Sequence, residues 1–324
     1  MNKVVVTGGA GYIGSHACKA LKKKGFIPIT IDNLSRGNSE AVKWGDLIVS
    51  DLKDIEKTNQ IIKSINPIAV MHFAGKAYVE ESIINPSEYS LDNISGTLSL
   101  LNACKNNNVK NFIFSSSCAT YGVTKSSEII TESYPQNPVN PYGLTKLYCE
   151  KLIGEFCKAY DIRSVIFRYF NAAGADPDCD IGEKHQPETH LIPNLINAAL
   201  NNKEFKLFGI DYDTSDGTAV RDFIHVVDIA LAHTAALEYI FNKPYGYCES
   251  FNLGSGTPFS IKDLISKVEL ITGESIKIQV MSRREGDPPF LACCFKKAKK
   301  EFGFIPVNSS IDNVITSACN WHKK

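Results

Sequence analysis

The chain has 324 residues, 44% of them apolar and 22% charged, and its 35 Lys+Arg balance 35 Asp+Glu, the composition of a globular protein of one large or two moderate domains. A net charge of zero removes the electrostatic case for nucleic acid or a membrane surface, and no apolar run approaches the roughly 20 residues of a membrane span. An N-terminus that enters a strand without a leader, and ten cysteines with none in Cys-x-x-Cys order, point to reduced thiols in a cytoplasmic protein and to no metal centre.

Val4-Val5-Val6 are β-branched and predict a short buried strand. Gly8, Gly11 and Gly14 follow at every third position, and residues 12–24 have helical composition that Gly25 stops. Strand, glycine turn and helix describe a dinucleotide site. The first glycine makes the tight turn, the next lets the backbone approach a pyrophosphate, and the last lets helix and strand pack closely. The phosphates would sit on the helix N-terminus, among unpaired N–H groups at the positive end of the dipole. Residues 27–31 form a second apolar run that ends in Asp32. An acid there accepts the ribose hydroxyls of adenosine and repels a 2′-phosphate, so the cofactor expected is NAD and not NADP. Arg36, close by, is read as a solvated loop arginine.

A loop at 33–38 leads to a short strand at 47–49, closed by the polar turn Ser50-Asp51-Leu52, which can reach the adenine. A helix at 54–64 and a strand at 68–72 come next, ending in Phe73-Ala74-Gly75. Pro86 opens a long helical stretch in which Leu91, Ile94, Leu98 and Leu101 repeat at heptad spacing. Residues 111–114 form the fifth strand, ending in Ser115-Ser116-Ser117; a Pro-rich loop precedes a helix from Tyr142 to Tyr160, and 164–167 is a sixth strand. Strands and helices alternating at this spacing predict an α/β fold with a doubly wound, Rossmann-like parallel sheet.

The second half is less regular. Residues 176–188 and 211–218 read as polar loops, 191–201, 227–241 and 260–272 as helices, and 276–280 as a strand, before Pro288-Pro289 breaks the chain. The division expected is a dinucleotide-binding domain over 1–170, with a return near 220–250, and a smaller α/β substrate domain over 171–324.

Tyr142 and Lys146 lie four apart on a helix, so their side chains share a face. A free phenol has a pKa of about 10 and is a poor base at neutral pH. A neighbouring ammonium and a positive nicotinamide ring both favour the phenolate; a drop of about three units asks for roughly 4 kcal/mol, which two cations shielded from water can supply. The serines at the end of the fifth strand lie at the carboxyl edge of the sheet, where ligands of open α/β folds bind. A hydroxyl there can bond a substrate oxygen and relay a proton, although composition does not separate Ser115, Ser116 and Ser117.

Taken together, Gly8-x-x-Gly11-x-x-Gly14, Asp32, Ser117 and Tyr142-x-x-x-Lys146 resemble the extended short-chain dehydrogenase/reductase family, and within it the enzymes that invert C4′ of UDP-hexoses. Further matching runs are 7–16, 72–75, 111–117, 168–171, 220–226 and 283–287, so the resemblance covers about residues 4–305. It implies Tyr142 as the phenolate base on the sugar 4′-hydroxyl, helped by Ser117, with Lys146 on the nicotinamide ribose and hydride passing to and from tightly bound NAD. It also implies NAD contacts at Gly8, Gly11, Tyr12, Ile13, Gly14, Asp32, Asn33, Asp51, Leu52, Phe73, Ala74, Gly75, Asn93 and Phe170. For the UDP-hexose it implies Arg221 and Arg284 on the diphosphate, where a planar guanidinium pairs well, Phe208 over the uracil, and Asn171, Leu191, Tyr212, Asp287 and Leu291 along the nucleotide and sugar.

Two departures stand out. Lys76 falls one place early for the family's cofactor lysine, and His190 replaces a common asparagine. The nearest rival, a nucleotide-sugar 4,6-dehydratase or decarboxylase of the same fold, needs an acid after the strand-end serine, where this chain has Cys118 and Ala119. A catalytically silent NAD-sensing protein is the other rival, and it has no use for Ser117, Tyr142 and Lys146. The heptad stripe, with the helix from Tyr142, leads to an expected homodimer. In the resembling enzymes, the residue four places after Asp287 closes the sugar pocket; Leu291, smaller than an aromatic, leads to the expectation that N-acetylated UDP-hexoses are also accepted, more slowly.

Overall fold

Short apolar strands align side by side in the computed structural model, which describes residues 2–124, 128–284 and 287–324. The strands are β1 (Lys3–Thr7), β2 (Ile27–Asp32), β3 (Asp46–Val49), β4 (Ala69–His72), β5 (Asn111–Ser117), β6 (Arg163–Tyr169) and β7 (Cys248–Leu253). They form one 7-stranded sheet in the order β7-β6-β5-β4-β1-β2-β3. Every pairing is parallel, with Thr7 opposite Ile31 on one side and His72 on the other. The strand order therefore reverses at β1, and the crevice beyond its carboxyl end is where such sheets bind ligands.

Alternation along the strands sorts the core onto two faces. Val4, Val6, Met71, Ile113 and Phe167 pack with Leu21 of α1 (Tyr12–Lys23) and with Leu237 and Ile240 of the helix Val226–Ile240. Val5, Val70, Phe112 and Ile166 pack with Ile62 of α2 (Ile55–Ile65), Leu100 of α3 (Gly96–Asn106) and Ile153 of α4 (Pro141–Tyr160). Both faces being covered explains why the strands read as nearly continuous apolar runs.

Asn140 and Pro141 decide where α4 begins. The Asn140 side chain accepts from Gly143 N at 2.8 Å, and Pro141 takes the first helical position. Tyr142 is thus held in the first turn, and Lys146 comes one turn later.

The stretch after Pro86 departs from the expected helix. It runs as Pro86–Tyr89, a π-turn at Ser90–Ser95, and then α3. A π-turn places an extra residue in the turn and rotates the helix beyond it. Leu101 is fully buried and Ile94 packs on the core, whereas Leu91 and Leu98 are 53% and 39% exposed. The four positions do not act as one stripe.

The rest of the chain builds a second layer. The strand Val220–His225 pairs antiparallel with Pro258–Ser260 and parallel with Phe290–Cys293 and Asn171–Ala173. A separate parallel pair joins Glu204–Phe208 to Lys277–Met281. The helices Leu191–Leu200, Ile261–Thr272 and Ile311–His322 bury Leu195, Ile196, Leu264, Val268, Val314 and Ile315 together. The strands Val220–His225 and Cys248–Leu253 are absent from the sequence reading, and the latter adds the seventh strand to the large sheet.

Candidate active site

Between the carboxyl edge of the large sheet and this second layer lies a cleft of about 1280 Å³. That exceeds the roughly 300–1,000 Å³ usual for one small ligand. One end is the glycine turn. Gly8 has φ +72, and a Cβ on it would meet Ala74 N at 2.6 Å; a Cβ on Gly14 would meet Gly8 O at 2.2 Å. No other residue fits either place. Gly11 caps α1 without a side-chain hydrogen bond, so the first-turn N–H groups of α1 face the cleft.

Asp32, at the end of β2, accepts from Ala10 N at 3.1 Å and Leu34 N at 2.9 Å. Burial raises its pKa and these two N–H groups lower it. Asn33 donates to Asp51 at 3.1 Å, and Leu52 is buried beside them. Arg36 is committed to Glu81, at 2.7 Å, and lies 5.0 Å from the Tyr78 ring. It is an exposed loop arginine, as expected, and its ion pair with Glu81 occupies the guanidinium. This cradle of backbone N–H groups, an acid and tight glycines fits a dinucleotide.

The three strand-end serines separate once their partners are seen. The Ser115 hydroxyl pairs with the Tyr169 hydroxyl, and Ser116 donates to the buried Glu150, which also pairs with Arg168 at 2.6 Å. Ser115 and Ser117 both line the cleft, but it is Ser117 that meets the Tyr142 phenol, while its oxygen accepts from Ala119 N at 3.1 Å. Lys146 donates to Ser115 O at 2.8 Å and sits 6.0 Å from the Tyr142 ring. Burial pushes Tyr142 up to about 12 even though the Ser117 hydrogen bond pulls the other way. Burial brings Lys146 down to about 8, against the pull of Cys149 and Glu150. Ser117, rather than Lys146, is thus the neighbour acting on the phenol in this geometry.

The opposite wall is basic and aromatic. Arg221, buried on Val220–His225, pairs with Asp287 and donates to Val220 O at 2.7 Å. Arg284 lies 4.0 Å over the Phe208 ring and 3.3 Å from Glu80. Leu291 is opposite Arg221 on the paired strand and lines the cleft; Phe290 does not. Asn171 donates to Asp222 O at 2.8 Å. Cys118 and Ala119 lie on the wall where an acid pair would stand.

All but two of the residues expected at the site line this one cleft. Asn93 is buried behind the wall, where its amide holds the Lys76 main chain at 2.8 and 3.1 Å and Thr145 at 2.9 Å. Tyr212 lies behind Asp287, donating to it at 3.4 Å, under Arg283. Glu285 and Gly286, within the run 283–287, lie outside the described residues. Lys76 lines the cleft but is held by Glu88 and Asp92. Sequence reasoning missed Tyr78, Glu183, His185 and Glu188, which also line it; they come from stretches with no regular period.

Comparisons with known proteins agree with this geometry. Residues 4–254 match the model of the NAD dependent epimerase/dehydratase family. A UDP-glucose 4-epimerase of Rhizobium meliloti (strain 1021) is 44% identical over 324 residues, 100% of this chain and 98% of that protein. The solved UDP-glucose 4-epimerase from Brucella ovis in complex with NAD is 44% identical with a TM-score of 0.94, covering 99% of this chain and 98% of its own. That from Bifidobacterium longum in complex with NAD+ and UDP is 35% identical with a TM-score of 0.93, at 99% and 98% coverage.

Proposed function

The chain belongs to the NAD dependent epimerase/dehydratase family, and we propose that it is an NAD-dependent isomerase that interconverts UDP-glucose and UDP-galactose at C4. The observation that carries this reading is the position of Ser117 and Tyr142, in one cleft between the glycine turn and the Arg221–Arg284 wall, with Cys118 and Ala119 in place of the acids a dehydratase needs.

Bound NAD supplies a reversible hydride acceptor at C4 of the sugar. The glycine turn and α1 would hold its phosphates, Asp32 its adenosine ribose, and Lys146 the nicotinamide ribose. Tyr142 takes the proton of the 4′-hydroxyl and returns it, and Ser117 stabilises the phenolate by donating to it. The positive charge of the oxidised ring would add to Ser117 in favouring the ionised phenol. Arg221 and Arg284 would hold the diphosphate and Phe208 the uracil, which leaves the hexose the least restrained part and free to turn over as a 4-keto sugar. The same wall supports the division into a dinucleotide half and a UDP-sugar half. The test is conversion of UDP-galactose to UDP-glucose by purified protein with no NAD added, together with release of NAD on denaturation. A need for millimolar NAD, or recovery of NADP, refutes the reading.

We extend this to a homodimer in the cytoplasm. Leu91 and Leu98 are exposed beside exposed Leu144 and Tyr148 of α4, which supports a face of two helices from each subunit. Ten free cysteines support a reducing compartment. A monomeric mass by light scattering at micromolar concentration refutes the dimer.

A further inference from the structure

The loop before the helix Leu191–Leu200 carries the pattern Glu183-x-His185-x-x-Glu188-x-His190. We infer that these four side chains bind one divalent first-row transition-metal ion, with zinc as the type case, on the wall of the cleft. Their donor atoms all lie within 4.8 Å of one another.

The distances fit such an ion. With metal–ligand bonds of about 2.0–2.1 Å, the donors of a tetrahedral site stand about 3.3 Å apart. His185 Nδ1 is 3.2 Å from Glu183 and 3.9 Å from Glu188; His190 Nδ1 is 3.3 Å from Glu188 and 2.5 Å from Glu183. One contact has to open, and the others are already near the required separation. His190 Nδ1 is buried and faces the Glu183 and Glu188 carboxylates, so this donor atom points into the cluster.

Charge argues the same way. The neighbouring acidic group, Asp176, Asp178 and Asp180, is already filled by Lys19, whose ammonium lies 2.6, 2.9 and 3.0 Å from them. Among the described residues no lysine or arginine pairs with Glu183 or Glu188; their charged neighbours are the two imidazoles. Two imidazoles and two carboxylates suit zinc, cobalt, nickel or copper, whereas magnesium and calcium prefer all-oxygen sites. The sequence expectation of no metal rested on cysteine spacing, and this donor set contains no cysteine.

The loop is otherwise anchored. Glu183 O accepts from Trp321 Nε1 at 2.8 Å, while the His185 ring packs 6.4 Å from Tyr12 and 5.7 Å from Tyr78. Since all four ligands precede Leu191, the ion would fix the part of the wall that leads into that residue.

Cobalt(II) serves as the probe, because four-coordinate cobalt has intense visible bands. Full-length protein with its nucleotide bound is dialysed against a chelator and titrated with cobalt, then with zinc. The expected result is one ion per chain, intense bands that zinc abolishes and magnesium leaves unchanged, and a higher melting temperature with zinc. His185→Gln and His190→Asn are expected to weaken binding by more than the roughly 10–100-fold that loss of an outer partner costs. Glu188→Gln, at a half-buried position, replaces either variant if circular dichroism shows that it has not folded. Absence of the bands, or wild-type affinity in the folded variants, overturns the site and leaves the cluster a set of ion pairs.

Discussion

Tyr142 stands at about 12 with the Ser117 hydrogen bond already pulling it down, so replacing Ser117 by Ala removes the neighbour that lowers it. A hydrogen bond to a charged group contributes about 1.5–3 kcal/mol. At about 1.36 kcal/mol per unit, its loss raises the phenol by roughly one to two pH units. The rate of a reaction that needs the phenolate rises with pH as Tyr142 ionises. In Ser117→Ala that rise moves about one to two units toward higher pH, so activity on its acid side drops about 10–100-fold while the upper plateau is approached later. Initial rates with UDP-galactose from about pH 6 to 10 follow the rise. A melting curve accompanies them, because the Ser117 oxygen also accepts from Ala119 N and loss of such a cap costs about 0.5–2 kcal/mol. A profile of unchanged shape, scaled down equally at every pH, would refute the role of Ser117 in setting the base.

Tyr142→Phe is expected to lower kcat by about 10² to 10⁴ while calorimetry still registers UDP binding; wild-type turnover would remove it as the base. Wild-type protein is expected to turn over UDP-N-acetylgalactosamine roughly 10–200-fold less efficiently than UDP-galactose, and Leu291→Tyr to lose the N-acetylated substrate selectively. Brisk UDP-galactose turnover with none of the N-acetylated sugar in the wild type defeats this. Burial lowers four histidines, His16, His225 and His233 to about 4 and His72 to about 3. The unfolded chain therefore binds more protons below about pH 6.5, and stability is lost as pH falls from there toward 4, by up to about 5 kcal/mol per unit for the four together. Melting temperatures that stay level from pH 7 to 5 contradict this.

The parts of the site legible in the sequence are those whose chemistry depends on neighbours along the chain. Gly11 and Gly14 need only their own turn, although Gly8 also meets Ala74; Asp32 needs only the end of β2, and Tyr142 and Lys146 only one turn of helix. Ser117 is legible as one of three, because what distinguishes it lies elsewhere: Tyr169 takes the Ser115 hydroxyl and Glu150 that of Ser116. Asn93 and Tyr212 show the converse, since polar residues at plausible positions prove to hold other residues of the wall. The heptad reading of residues 91–101 assumes an unbroken helix, and no local signal marks the π-turn that displaces it.

The strand Val220–His225 is illegible for a physical reason that bears on function. Its apolar run is interrupted by Arg221 and Asp222, which a period-based reading assigns to solvent. Both are buried. Asp222 accepts backbone N–H bonds from Ser255 at 2.8 Å, Gly256 at 3.1 Å and Cys293 at 3.3 Å, while Arg221 pairs with Asp287 at the cleft. A buried charge is tolerated only where partners satisfy it. Asp222 is satisfied entirely within the fold and holds the strand in place. Arg221, with its Asp287 partner, stands at the surface a diphosphate would occupy. Burial of both charges side by side on one strand thus has two causes, and the residue that hides the strand from a sequence reading is also the one that gives the strand its use.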